Sequence, residues 1–194
     1  MEIVCKVKQG SGDMINHFTK SYPNNKLFHV AVMDLLGAPV ETIVNPANSG
    51  LSHGGGLAAI ISNLAGPELD NESIKIIETV GKIPVTYAVP TKAYELGFKG
   101  IIHAIGPRMG DGDEQIKEEK TIFNTLIVAE RKKWQSVAFP ALGTGIFMVP
   151  KELCARAFKE GINNYWQSHP DSIVDTIWLC LTLDDYPIFK EIID

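Results

Sequence analysis

The chain has 194 residues, 45% of them hydrophobic and 21% charged, with a formal net charge of −5 at pH 7. Those values suit one soluble globular domain large enough to bury a core. They disfavour a protein whose main task is coating nucleic acid, because that affinity rests on clustered Lys and Arg, and no apolar run reaches the roughly 18 residues of a membrane span.

The first residues, MEIVCKVKQGSGDM, contain no apolar stretch of signal-peptide length, so a cytoplasmic location is expected. Strand-type runs follow at Ile3 to Val7, Leu27 to Met33, Thr42 to Val44, Val85 to Val89, Gly100 to Ile105, Ser136 to Phe139 and Ile173 to Leu183. Helix-type segments lie between them, over Gly56 to Leu64, Pro67 to Val80, Asp113 to Lys133, Pro150 to Trp166 and Tyr186 to Ile193. Pro67 and Pro150 suit a first helical turn, and Gly66 and Gly81 are natural breakers. Residues 9 to 26 read either as a short helix between loops or as a connection tying an extra N-terminal strand to the sheet. Residues 106 to 115, GPRMGDGDEQ, read as an exposed loop.

This alternation predicts an α/β sandwich, a sheet covered on both faces by helices. No repeat or linker divides the chain, so residues 1–194 are expected to form one domain: an N-terminal strand and connection over 1–26, a core over 27–185 and a C-terminal helix over 186–194. The three cysteines, Cys5, Cys154 and Cys180, are widely separated. They form neither a disulfide framework nor a metal pattern, so buried reduced thiols and no metal site are expected.

Two stretches carry chemistry. Residues 41 to 56, ETIVNPANSGLSHGGG, run from a strand into an Asn-rich turn and three consecutive glycines, directly before a helix-type segment. Glycines let backbone N–H groups approach a ligand, and a helix start favours phosphate. Residues 136 to 150, SVAFPALGTGIFMVP, repeat the pattern: a buried strand, a Gly-Thr-Gly loop, then a helix near Pro150. The third glycine of the dinucleotide fingerprint is missing, as is the Gly-Lys-Ser/Thr ending of an NTPase phosphate loop. Each glycine loop alone reads either as a tight turn or as a ligand site. Together, at strand ends, they predict a cleft that closes on a diphosphate from two sides, with Phe147 covering the adjoining sugar.

Four pieces occur in a telling order: Ile43-Val44-Asn45-Pro46-Ala47-Asn48, His53-Gly54-Gly55-Gly56, Ile101-Ile102-His103-Ala104-Ile105-Gly106-Pro107 and Pro140-Ala141-Leu142-Gly143-Thr144-Gly145-Ile146-Phe147. In that order, over residues 27 to 185, the chain resembles a macrodomain, the ADP-ribose-binding family, in its His-Gly-Gly-Gly branch. The resemblance implies a three-layer α/β/α fold with a central mixed sheet. It places Asp34 and Leu35 at the adenine end, with Asp34 accepting from the adenine amino group although Met33 replaces the usual preceding glycine. Asn48 is placed at the distal ribose, and Gly54, Gly55, Gly56 and Leu57 with Gly143, Thr144, Gly145, Ile146 and Phe147 around the diphosphate; Asn45, earlier in the motif, is counted with the ligand-binding residues and reads as a support of the loop, since an Asn can bond backbone groups and hold a turn. Leu183 falls where the family stacks a side chain on adenine. His53 reads either as a catalytic group near the distal ribose or as a loop brace, and His103 as a core histidine.

Macrodomains include both enzymes and reading modules. One hydrolase branch places an Asp two residues beyond the last glycine, where this chain has Ala58. The His-Gly-Gly-Gly branch, which includes viral macrodomains, hydrolyses without that base, and the resemblance implies that the ligand's own diphosphate helps position water. General-base assistance is worth about 10² to 10⁴ in rate, so its loss predicts a slower enzyme. The expected activity is metal- and cofactor-independent removal of ADP-ribose from protein Asp or Glu, with Asn48 and His53 as the catalytic pair. O-acetyl-ADP-ribose and ADP-ribose 1″-phosphate are related substrates, and a non-catalytic reader is the alternative. The expected partners are ADP-ribose and mono-ADP-ribosylated proteins, with neither membrane nor nucleic acid; a monomer is expected.

Overall fold

A computed structural model describes residues 16–194. Among the described residues the sheet has seven strands: β1 (His17–Tyr22), β2 (Lys26–Val32), β3 (Thr42–Pro46), β4 (Ala88–Thr91), β5 (Gly100–Ala104), β6 (Ser136–Pro140) and β7 (Thr176–Leu181). Their spatial order is β1-β2-β7-β6-β3-β5-β4. The inner strands run parallel, and β1 and β4, the outermost of the described strands, run antiparallel to their neighbours. The described residues also form five α-helices on the two faces of the sheet: α1 (Gly56–Ala65), α2 (Pro67–Val80), α3 (Glu114–Lys132), α4 (Lys151–Ser168) and α5 (Tyr186–Ile193).

The central strands read as continuous apolar runs because both faces are buried. In β3 and β5, Val44 and Ile102 join the core shared with α3, α4 and α5, while Ile43 and Ile101 face the core under α1 and α2. Strand β7 divides likewise, with Ile177 and Leu179 on the first side and Trp178 and Cys180 on the second. The three-layer α/β/α architecture with a mixed sheet is as expected. Among the described residues no helix is long and apolar enough to cross a membrane.

Two expectations shift, and a third falls on residues that the structure does not describe. The strand expected at Ile3 to Val7 lies outside the described residues. Within residues 9 to 26, His17–Tyr22 is neither helix nor loop but the edge strand β1, joined to β2 by a turn in which Asn24 and Asn25 adopt φ of 62° and 57°. Strand β4 spans Ala88–Thr91 rather than 85 to 89, because Thr86 has φ of 80° and breaks the extended run.

Candidate functional site

Because the inner strands are parallel, the loops leaving β2, β3, β5, β6 and β7 gather along one rim of the sheet, where ligands of open α/β sheets lie. A cleft of about 600 Å³ opens there. It is lined by Met33, Asp34 and Leu35 after β2; by Pro46, Asn48 and Ser52 after β3; by Gly54 to Ala58 at the start of α1; and by Arg108 after β5. Pro140, Ala141 and Gly143 to Phe147 form the facing wall, and Cys180, Leu181, Thr182 and Asp185 close one end.

The first wall is a helix start. Helix α1 begins at Gly56 with no side-chain cap and no acid in its first turn. Its leading N–H groups and positive dipole end are thus left for an anion. Gly56 has φ of 58°, a left-handed conformation that favours glycine. A Cβ on Gly55 would stand 3.3 Å from Ile146 Cδ1, so the second loop already reaches across to the first.

That second loop is held by its own backbone. Val149 N–H donates to the Gly143 carbonyl at 3.0 Å, and Met148 N–H donates to that of Gly145 at 3.0 Å. Gly143 has φ of 70°, and a Cβ there would meet Val149 Cγ2 at 2.9 Å, so only glycine fits. The loop after β5 joins it: Met109 N–H donates to the Phe147 carbonyl at 2.9 Å, and the Arg108 guanidinium carbon lies 4.6 Å from the Phe147 ring centroid. A segment expected to be merely exposed therefore supplies a cation to the cleft.

The lining is weakly charged. Its ionisable residues are Asp34, Asp185, Arg108 and Cys180. Asp185 pairs with Lys151, and burial together with the neighbouring Asp34 charge pushes the Cys180 thiol up to about 12, so it stays neutral. An anion here would be held mainly by backbone N–H groups, with Arg108 at the mouth.

The structure brings most of the expected residues together. Asp34 and Leu35, Asn48, Gly54 to Leu57 and Gly143 to Phe147 all line the cleft. Asp34 caps a 3-10 turn, Leu35–Gly37, by accepting from Leu36 N–H at 3.0 Å. Asn48 clamps its own loop: its amide donates to the Ser52 carbonyl at 2.8 Å, and its Oδ1 accepts from Gly50 N–H at 3.0 Å and Ser52 N–H at 3.2 Å.

Three expected residues stand apart from the lining. Asn45 is fully buried, with its amide 2.9 Å from His103 Nδ1 and 3.3 Å from His53 Nδ1. His53 is turned behind the glycine loop, its other nitrogen 3.1 Å from Ser73 Oγ, and burial holds it below the ordinary histidine range against the pull of Asp70. Leu183 is 59% exposed, one residue past the lining Thr182. His103 is a buried core histidine, pushed down to about 3 by burial and by His53, with Nε2 2.9 Å from Thr91 Oγ1.

Sequence reasoning did not assign Arg108, Ser52, Cys180, Thr182 or Asp185 to the cleft. Arg108 had a signal, since it directly follows the Gly106-Pro107 motif. The others are brought in by strand order. Ala58, 8% exposed, lines the cleft two residues into α1. Among the described residues no carboxylate lines the glycine-loop side.

Comparison with known proteins places this geometry. The Macro domain family matches residues 44–158. An uncharacterized protein of Thermotoga maritima is 36% identical over 169 residues, which cover 86% of this chain but 28% of that protein. The O-acetyl-ADP-ribose deacetylase of Escherichia fergusonii is 33% identical over 143 residues, 73% of this chain and 81% of the relative. An Oceanobacillus iheyensis macrodomain solved with ADP superimposes with a TM-score of 0.83 at 26% identity, covering 91% of this chain and 94% of the other.

Proposed function

This chain belongs to the Macro domain family, and from that premise we propose that its cleft binds ADP-ribose and hydrolyses ADP-ribose esters. The substrates are mono-ADP-ribose on protein Asp or Glu, O-acetyl-ADP-ribose or ADP-ribose 1″-phosphate. The observation that carries the reading is the pair of opposed glycine loops, Gly54–Gly56 and Gly143–Phe147, bridged by Ile146 over Gly55. A diphosphate fits between the free N–H groups of α1 and the second loop, with Arg108 beside it. Adenine then lies toward Asp34 and Leu35 and the distal ribose toward Asn48, as in the His-Gly-Gly-Gly branch.

In this arrangement Asn48 positions the ribose from a loop it clamps itself, and His53 acts by bracing the glycine loop through Asn45 and Ser73. With Ala58 in place of an acid, water is activated without a protein base. For the ester that links the anomeric carbon to a protein carboxylate, water attacks that carbon, the bond to the ester oxygen breaks and the carboxylate leaves, and orientation of water and the anomeric carbon supplies the rate enhancement.

Ala58 also favours a second reading, a non-catalytic module that recognises ADP-ribosylated proteins. Two measurements separate the readings. Calorimetry with ADP-ribose should show 1:1 binding weakened by Asp34→Ala, and undetectable binding would remove both. Incubation with a protein mono-ADP-ribosylated on Glu or Asp should release ADP-ribose faster than buffer does; intact binding without release leaves the reader module.

A further inference from the structure

The edge of the sheet far from the glycine loops carries a cluster that the cleft does not use. On β1, His17 and Thr19 are two residues apart and point to the same face. In the β1–β2 register Thr19 opposes His29, which puts His17 diagonal to His29 on that face. The side chains converge: His17 Nε2 lies 3.2 Å from His29 Nδ1, and Thr19 Oγ1 lies 3.1 Å from the first and 2.8 Å from the second.

A triangle of two nitrogens and one oxygen with these edges matches three ligands around one first-row metal ion. At bond lengths of about 2.0–2.1 Å, neighbouring ligands at octahedral or tetrahedral angles stand roughly 2.8–3.4 Å apart. The frame is rigid, because all three side chains come from paired strands rather than loops. Trp178, which opposes His29 in the β2–β7 register, stacks on that imidazole at 4.2 Å with 22° between planes, and on His17 at 5.6 Å with 17°. The stack fixes both ring planes, the orienting role that outer residues play at metal centres.

We propose that His17, His29 and Thr19 form a binding site for a divalent cation of the nickel, copper and zinc group, separate from the cleft. Imidazole ligands select these ions over magnesium or calcium. Among the described residues no third His, Cys, Asp or Glu joins the cluster, so the site is a two-imidazole chelate completed by Thr19 and solvent. Its consequence is structural. The ion ties the antiparallel edge strand β1 to β2 through side chains in addition to the ladder.

The test is a calorimetric titration of tag-free protein with Ni²⁺ near neutral pH, with tryptophan emission followed in parallel. One ion is expected per chain, with emission quenched through the stacked Trp178 and the melting temperature raised. His17→Gln and His29→Gln should each weaken binding roughly tenfold or more, because chelation is lost with either ring. Thr19→Val should weaken it less, and His169→Gln not at all. His17 and Thr19 are exposed, so the variants at these two positions should melt like the parent without metal. Absence of saturable binding overturns the proposal, as does binding that keeps its affinity and quenching in either single histidine variant.

Discussion

Ile146 Cδ1 stands 3.3 Å from the position a Cβ on Gly55 would take, although Ile146 itself is 72% exposed. An exposed isoleucine held over a glycine closes a channel whose floor is backbone. Gly55 has φ of −172°, extended backbone that any residue adopts, so Gly55→Val should leave the fold intact while placing methyl groups in the channel. Overpacking costs about 1–3 kcal/mol, so ADP-ribose affinity should fall roughly five- to 150-fold. Calorimetry and a thermal melt check this together, with the melting temperature moving by about 2 °C or less. Unchanged affinity would place the ligand elsewhere.

Arg108 offers a complementary test. Its guanidinium over Phe147 is the one cation lining the cleft among the described residues. Cation–π contact and long-range attraction at an exposed site are worth about 0.5–1 kcal/mol, so Arg108→Ala should weaken ADP-ribose binding roughly two- to fivefold. Measured across a salt series, the variant should also lose part of the parent's salt dependence. Arg108→Lys should recover the salt dependence without the full affinity, since a lysine does not stack in the same way.

The sequence disclosed structure where the determinants are local. Helix α2 is bounded where expected because Gly66 and Gly81 have φ of 90° and 76°, and Pro67 opens the first turn. The inner strands were legible from their apolar runs. Strand β1, HFTKSY, was not, because an edge strand half exposed to solvent needs little apolar alternation and is defined by pairing with β2. The same limit applies to the cleft. Arg108 reaches it through a hydrogen bond between Met109 and Phe147, residues far apart in the chain. His53 adjoins the glycines in sequence, yet the side chain's direction depends on Ser73 of α2 and on Asn45.

Asp34 has one observed task and one proposed task, and the two are separable. It caps the 3-10 turn through Leu36 N–H and lines the end of the cleft assigned to adenine. Asp34→Ala should lose both, with a stability cost of about 1 kcal/mol from the missing cap. Asn caps as well as Asp, so Asp34→Asn should restore the parent's urea midpoint. It should not restore ADP-ribose affinity if the carboxylate accepts from the adenine amino group. Equal affinity in Asp34→Asn and parent would assign Asp34 to the turn alone.

Glu118 on α3 is fully buried beside Gly106, and neither carboxyl oxygen has a hydrogen-bond partner among the described residues. Burial pushes it up to about 8, from an ordinary 4.5. Between those two values the folded chain keeps a proton that the unfolded chain has released. Its contribution is therefore fully present below about pH 4.5 and is lost as pH rises through about 8, at a limiting slope of roughly 1.4 kcal/mol per pH unit. Glu118→Gln removes this titration. Urea unfolding of parent and variant at several pH values across that window should show the variant gaining on the parent as pH rises. Parallel stability curves would mean that Glu118 titrates alike in both states and that its burial is relieved by a partner such as bound water.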